Sequence, residues 1–549
     1  MEITTNVSKK FSSFFTSENL KPFAEKVFSK LMEGNICVEI NKSADIEILR
    51  KEKLVSFDPK NSQPFIVRNN KLYLHKYFNY EDLIFKKIVS FIETEKMWES
   101  GRKMFLKKNA EYVKELFPGK NDKWQLIAAL ISVLKNFTII TGGPGTGKTT
   151  TVSKILKLLQ LENPKLRVAI VAPTGKAASR MAETLNNNGK NNFQPSTIHR
   201  FLEKYKRQDP KFKLPIDLII ADESSMIDAA LFAKLIAVIP ETARLILLGD
   251  KDQLASVEAG SLFGDLCRTV EKINTFSQET IDFFKMFSEE NFDENVSTVK
   301  HILNDHLVGL VYSHRFSKEK GIGLFSEAVI QNDENALKEF DDDDVVIDNS
   351  YSEKVFNDFI EGYRSFIEEP DINKALDKFS NCMVLCAVRN GDHGVYSLNN
   401  KIENYLLKEG LIDIQGKYYH NCPIIITSNL YNLGLFNGDI GIIRKDGNGN
   451  LKAWFKNKEN GVVPAFIHSA ETVFAMTIHK SQGSEFNKIL VVLPEKNSPL
   501  LSRELLYTAV TRAKQKVIIQ ATQEIIMQTA SQKVERGSGL IERFKEINS

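Results

Sequence analysis

Gly142, Gly147, Lys148 and Thr149 stand at the G-x-x-x-x-G-K-T spacing inside FTIITGGPGTGKTTTVSKIL, residues 137–156. Each residue type suits the binding of a phosphate chain. Glycines let the backbone wrap an anion with successive N–H groups turned inward, and the start of a helix adds its partial positive charge. The loop Gly142, Gly143, Pro144, Gly145, Thr146, Gly147, Lys148, Thr149 and Thr150 is the expected nucleoside triphosphate cradle. Lys148 would reach the outer phosphates and the Thr149 hydroxyl would complete a Mg²⁺ shell. A glycine-rich turn that binds nothing is the plainer alternative. An apolar strand before the loop and a helix after it speak against that.

Carboxylates follow in LIIADESS, residues 218–225, where four apolar residues end in Asp222-Glu223. The C-terminal edge of a buried strand is where doubly wound sheets hold ligands. Asp222 suits the water shell of the metal, and Glu223 suits orienting and deprotonating an attacking water. The next apolar strand ends in Gly249-Asp250 and leads to Gln253, whose amide could sense the terminal phosphate and touch a nucleic acid. Gln125, one helix before the loop, could read an adenine edge with its paired donor and acceptor, although a lone surface glutamine is the commoner situation.

Three further clusters crowd hydroxyls, cations and helix starts into a few residues, which is how proteins position a sugar-phosphate backbone. They are Pro173, Thr174 and Lys176 in APTGKAASR, Thr197 and His199 in STIHRFL, and Thr477, His479, Lys480, Ser481 and Gln482 in MTIHKSQGSEF. Capped turns and ordinary polar loops are the alternatives. Glu485 could accept from a ribose hydroxyl. Arg512 lies four residues after Thr508 on one helical face and can point across a cleft.

The elements that must position these groups divide the chain. At 549 residues it is too long for one core, and length alone suggests about three or four domains. With 42% hydrophobic and 26% charged residues and a net charge of +3, any nucleic-acid surface must be a local patch. Five cysteines without a C-x-x-C pair give no disulfide framework, zinc site or iron–sulfur cluster. No stretch approaches ~18 consecutive apolar residues, so the expectation is no membrane association and a reduced cytoplasm. Strands alternating with helices predict an α/β fold. Residues 1–108 read as a small α/β domain whose hairpin PFIVRNNKLYLH turns at Asn69-Asn70. A docking role and a purely structural role both remain open for it. Residues 109–300 and 301–549 read as two further domains, the second interrupted at about 410–471 by short strands that suggest a small barrel or curved sheet. EFDDDDVV, residues 339–346, has no companion ligands and reads as a solvated turn.

Taken in order, TGGPGTGKTTTV, APTGKAASR, ADESSMID, GDKDQLASVEAG, YSHRFSKEKGIG, LGLFNGDIG, FAMTIHKSQGSEF and RELLYTAVTRAK resemble the RecD family of superfamily I helicases, subunits of bacterial exodeoxyribonuclease V (RecBCD). The resemblance runs from about residue 120 to the C-terminus and is looser before it. It implies two RecA-like P-loop motor domains with an SH3-like insertion in the second. It also implies ATP-driven 5′→3′ translocation on single-stranded DNA at duplex ends, RecB-like and RecC-like partners forming a heterotrimer, and a role in recombinational repair. Arg315 and Arg512 would be fingers brought to the γ-phosphate by the second motor domain. A stand-alone RecD-like helicase would use the same motor without partners. No D…E-x-K cluster supports a nuclease in this chain, and the presence of Lys148, Glu223 and Arg512 argues against an inactive architectural subunit.

Overall fold

The computed structural model describes residues 2–119, 121–187, 193–204, 214–256, 258–456, 458–534 and 536–547. Among these, the strands form four sheets. The first sheet is built from β1 (Cys37–Glu39), β2 (Val55–Ser56), β3 (Phe65–Arg68) and β4 (Lys71–Leu74), in the order β1-β4-β3-β2. Its hairpin turns at Asn69 and Asn70, both at positive φ (50° and 54°), which asparagine tolerates better than most residues. The helix His75–Glu95 leaves this sheet and buries Ile84, Ile88, Phe91 and Ile92 in the core beneath the second sheet, beside the helix Ala229–Ala237.

The second sheet contains β5 (Phe137–Gly142), β6 (Val168–Ala172), β7 (Ser196–Thr197), β8 (Leu218–Ala221), β9 (Arg244–Gly249) and β10 (Leu307–Leu310), in the order β10-β5-β9-β8-β6-β7. Every pairing is parallel, and separate cores fill its two faces. That double burial explains why its strands read as unbroken apolar runs rather than alternating ones. The third sheet is also wholly parallel, with β11 (Val345–Asp348), β12 (Cys382–Cys386), β17 (Ala475–Thr477), β18 (Phe486–Val492) and β19 (Ala513–Gln520) in the order β11-β19-β18-β12-β17. Two parallel α/β units joined in one chain are the architecture of a two-domain RecA-like motor. Between β12 and β17 an antiparallel sheet is inserted, β13 (Pro423–Ile426), β14 (Ile440–Lys445), β15 (Leu451–Phe455) and β16 (Ala470–Thr472), ordered β15-β14-β13-β16.

Two placements differ from a boundary at residue 300. β10 pairs with β5 in register Leu307↔Ile139, so the first motor sheet runs on to Leu310. The run LVGL is too short to announce which sheet it completes. At the other end, the final helix Leu540–Ile547 does not stay with the second motor domain. Leu540 and Phe544 enter the core beneath the first motor sheet, and Lys71 Nζ donates to the Ser538 carbonyl at 2.7 Å and to Glu542 at 2.8 Å. The tail thus joins the N-terminal sheet.

Candidate nucleotide site between the two motor domains

The phosphate loop departs from β5 and ends on Gly147, whose φ of 82° immediately precedes the helix Lys148–Glu162. Glycine is required there for more than its freedom of φ. A Cβ on Gly147 would lie 2.6 Å from Gln125 Nε2, and one on Gly145 would lie 2.4 Å from Arg315 Cβ. Lys148 Nζ donates to the carbonyls of Gly142 (2.6 Å) and Gly143 (3.2 Å), so its ammonium lies along the inside of the loop.

Around that loop lies a cavity of about 410 Å³ lined by Pro144 to Thr150, Asp222, Glu223, Gln253, Arg315 and Arg512. Asp222 immediately follows β8 and takes the Glu223 N–H on Oδ1 at 2.8 Å. Burial, and then the charge of Glu223 beside it, push Asp222 up to about 6 against the pull of Lys148 and Arg180. Glu223 itself holds φ at 50°, a left-handed conformation that a non-glycine residue keeps only where its surroundings impose it. The chain reverses at this point into a short helical turn, Ser224–Met226, fastened by Ser224 Oγ donating to the Ala221 carbonyl at 2.8 Å.

Gln253 and Asp250 form the next layer. Gln253 Nε2 donates to Asp250 Oδ2 at 2.9 Å, and the Tyr507 hydroxyl of the second motor domain donates to the same oxygen at 3.0 Å. Burial and then Asp252 push Asp250 up to about 6. Just beyond, Leu254 is gripped twice from across the cleft. Its N–H donates to Thr508 Oγ1 at 2.9 Å, and its carbonyl accepts from Gln482 Nε2 at 2.9 Å. Arg512 is anchored by Nε to the Thr508 carbonyl at 3.0 Å, and burial pulls its pKa below the usual guanidinium range.

Gln125 packs against Gly147 of the loop and is not among the residues lining this cavity. It is buried, its amide donates to the Thr146 carbonyl at 3.3 Å, and His314 Nε2 lies 3.4 Å away. The residues expected to meet nucleic acid separate into two groups. Thr197 caps the helix Ile198–Glu203 through Arg200 N–H, Thr477 Oγ1 accepts from Lys480 N–H, and the buried Ser481 hydroxyl donates to the Ile478 carbonyl. Those three hydroxyls are engaged with backbone. Thr174 Oγ1 likewise accepts from Ala177 N–H at 3.3 Å, one turn after Pro173. His199 is exposed, while His479 is partly buried and its imidazole is lowered mainly by that burial. Lys480 pairs with Glu471 at 2.7 Å. Lys176, brought down to about 8 by burial, donates to Ser484 Oγ at 2.6 Å across the cleft. Gly175, at the start of the same helix, faces Phe436 of the inserted sheet so closely that a Cβ would lie 2.4 Å from Phe436 Cβ.

Sequence reasoning missed Arg180, Tyr507, the pairing of Arg315 with Glu485 and the contact of Phe436. Arg180 and Tyr507 lie inside stretches whose likeness to a helicase is plain, but nothing local says what they touch.

The chain's first motor domain matches the family model described as an AAA domain over residues 125–259, and residues 472–520 match the UvrD-like helicase C-terminal domain. A RecBCD enzyme subunit RecD from Haemophilus influenzae is 36% identical over 488 residues, covering 79% of this chain and 75% of that one. The chain belongs to the RecD family of superfamily I helicases. Membership of the RecD family makes it an ATP-hydrolysing DNA helicase. The RecBCD enzyme subunit RecD of Buchnera aphidicola subsp. Acyrthosiphon pisum is 29% identical over 94% of this chain and 88% of its own length. The ATP-dependent RecD2 DNA helicase of Deinococcus radiodurans is 28% identical over 74% of this chain but only 50% of its own length.

Proposed function

We propose that the chain is the RecD-type motor of a helicase–nuclease, moving 5′→3′ on single-stranded DNA at duplex ends in company with RecB-like and RecC-like subunits. One observation carries the motor: a single cavity gathers the phosphate loop, Asp222, Glu223 and Gln253 from one α/β unit with Arg512 from the other and Arg315 from the connector. Lys148 and the loop N–H groups hold the triphosphate, Glu223 orients and deprotonates the attacking water, and Gln253 reports the terminal phosphate to the DNA side. Arg315 and Arg512 stabilise charge on the transferred phosphoryl group, an effect worth ~10³–10⁵ in related reactions. The donors also suit a divalent cation. Asp222 is a buried carboxylate already held up by burial and Glu223, which an added positive charge would relieve, and the Thr149 hydroxyl lines the same cavity. Mg²⁺ bound there would neutralise phosphate charge.

Loss of the terminal phosphate removes what the arginines grip, so the domains part and close once per turnover. If the DNA grip alternates between Thr174, Lys176 and His199 on one side and Thr477 and His479 on the other, closure becomes stepping. The inserted antiparallel sheet is read as SH3-like and as a guide for the strand. The N-terminal sheet, in residues 1–108, is the proposed docking face for the partners. No helix among the described residues is long and apolar enough to cross a membrane, and the cytoplasm is the proposed compartment.

Lys148→Gln should abolish ATP hydrolysis and unwinding while leaving the fold intact by circular dichroism. Unwinding at the normal rate by this variant would sink the site assignment. The native mass of the tagged chain tests the partners. Two large co-purifying subunits are expected, and a lone active monomer would make it a free-standing helicase.

A further inference from the structure

We propose that Glu485 is the positioning residue of the Arg315 finger, so that the second motor domain acts on Arg315 through this carboxylate. The inference rests on reading the cavity as the nucleotide site. Arg315 does not sit on the second motor sheet. It lies in the connector after β10, and that connector is fastened to the phosphate loop. His314 N–H donates to the Gly145 carbonyl at 2.9 Å and Ser313 Oγ donates to the Pro144 carbonyl at 3.1 Å. What the second motor domain places beside Arg315 is Glu485, immediately before β18.

Glu485 Oε1 accepts from Arg315 Nη2 at 2.6 Å and also from Arg180, which rises from the first motor domain on the helix Gly175–Asn187. Its other oxygen lies 3.6 Å from Lys514 Nζ. Burial alone would raise this carboxyl, but Arg180 and Arg315 outweigh it and hold it at about 2, so it is charged at any working pH. Arg315 Nη1, by contrast, is buried and has no hydrogen-bond partner among the described residues, and the residue lines the cavity beside the phosphate loop. One edge of the guanidinium is therefore pinned and the other is unsatisfied, which is the arrangement for receiving an anionic oxygen. When the cleft opens, Glu485 departs with its own domain while Arg315 stays on the connector and loses its aim. Domain closure and finger geometry are coupled through one carboxylate bridging two arginines. The competing role for Glu485 is acceptance of a ribose hydroxyl.

Glu485→Gln, Glu485→Asp, Arg180→Gln and the double Glu485→Gln/Arg180→Gln proteins separate the two. Their kcat and KM for ATP hydrolysis on single-stranded DNA, their affinity for a fluorescent ATP analogue, their thermal midpoint without nucleotide, and their preference for ATP over 3′-deoxy-ATP are to be measured. A misaimed group costs about 10²-fold in rate. The expected result is a kcat reduced on that order in Glu485→Gln, with KM and analogue affinity changed by less than about twofold, the same scale of misplacement leaving binding untouched. Glu485→Asp should recover part of the rate. Arg180→Gln should lose less, the double variant should be no slower than Glu485→Gln, and the two losses in thermal midpoint should not add. Preference for ATP over 3′-deoxy-ATP should be unchanged. Loss of that preference with a raised KM would assign Glu485 to the ribose and overturn the proposal, as would additive effects of the two substitutions. Should Glu485→Gln fail to fold, Arg180→Gln and Glu485→Asp still decide it by the same split between kcat and KM. If the unaltered protein neither binds the analogue nor differs from Lys148→Gln, the nucleotide site itself is misread and the inference goes with it.

Discussion

Replacing Glu81 by glutamine should tighten the attachment of the C-terminal tail at alkaline pH. Glu81 is fully buried on the helix His75–Glu95, with Oε2 accepting from Gly539 N–H at 2.7 Å and Oε1 from the Tyr73 hydroxyl at 3.3 Å. Burial pushes its carboxyl up to about 7, in spite of that N–H and of Arg543, whose Nη1 is 3.7 Å away. Because the folded-state value lies above that of the unfolded chain, the group's contribution is fully present below about pH 4.3 and is lost as pH rises through about 7. At 1.36 kcal/mol per pH unit, holding Glu81 ionised above pH 7 costs on the order of 3 kcal/mol. A glutamine keeps the acceptor for Gly539 and offers its NH₂ to the Tyr73 oxygen without carrying the charge. Arg543 retains Asp82 at 2.5 Å, so the gain at pH 8 should be about 1–3 kcal/mol, the lower figure allowing for the lost attraction to Arg543. In a chain of several domains a single melting temperature does not isolate this contact, and the suitable assay is hydrogen exchange of amides 536–547. Wild-type protection should fall between pH 6 and pH 8 after correction for intrinsic rates, and Glu81→Gln protection should stay level and exceed it by roughly ten- to a hundredfold at pH 8. A variant tail that exchanges faster than wild type at pH 8 would refute the reasoning.

Tyr507→Phe removes a buried hydroxyl that donates to Asp250 across the cleft, a charged hydrogen bond worth about 1.5–3 kcal/mol. DNA-stimulated ATP turnover should fall about tenfold or more with nucleotide affinity unchanged, and unaltered turnover would mean that Gln253 does not act across the cleft through Asp250 and Tyr507. Gly175→Ala forces a methyl against Phe436 and should separate the inserted sheet from the first motor domain at a cost of about 1–3 kcal/mol. Unwinding should suffer while ATP analogue affinity holds. Normal unwinding by that variant would show that the contact is incidental.

The parts that were legible in the sequence are those whose chemistry is local. The phosphate loop needs its glycines and lysine within eight residues, and Asp222-Glu223 needs only an apolar strand before it. The hairpin at Asn69-Asn70 announces itself through two residues that accept positive φ. Contacts between distant segments left no such trace. Arg180 and Glu485 are 305 residues apart, Tyr507 and Asp250 are 257 apart, and Lys71 and Ser538 are 467 apart. Nothing in any of these neighbourhoods names the partner. Hydroxyls were a different difficulty. Thr197, Thr477 and Ser481 look alike in sequence whether they face a ligand or satisfy a turn; here Thr197 and Thr477 each accept a backbone N–H and keep a proton to donate, while Ser481 donates to a carbonyl. The place of β10 is not legible in the sequence because the four residues LVGL fit either parallel sheet, and the pairing with β5 decides.

The return of the tail to the N-terminal sheet means that the polypeptide passes between the two halves of the motor twice. The outward passage leans on the phosphate loop at Ser313 and His314. The homeward one is tied by Arg536 to the Ser256 and Glu258 carbonyls and by the Gly537 carbonyl to Ile36 N–H. A body fixed to another at two separate points keeps one easy rotation, about the line through them, and gives up sliding and twisting. If the halves open and close as proposed, these two ties would guide the stroke like a door on a pair of pins. One of those pins is seated in the N-terminal domain, so a partner docked on that domain as proposed would also hold the axle.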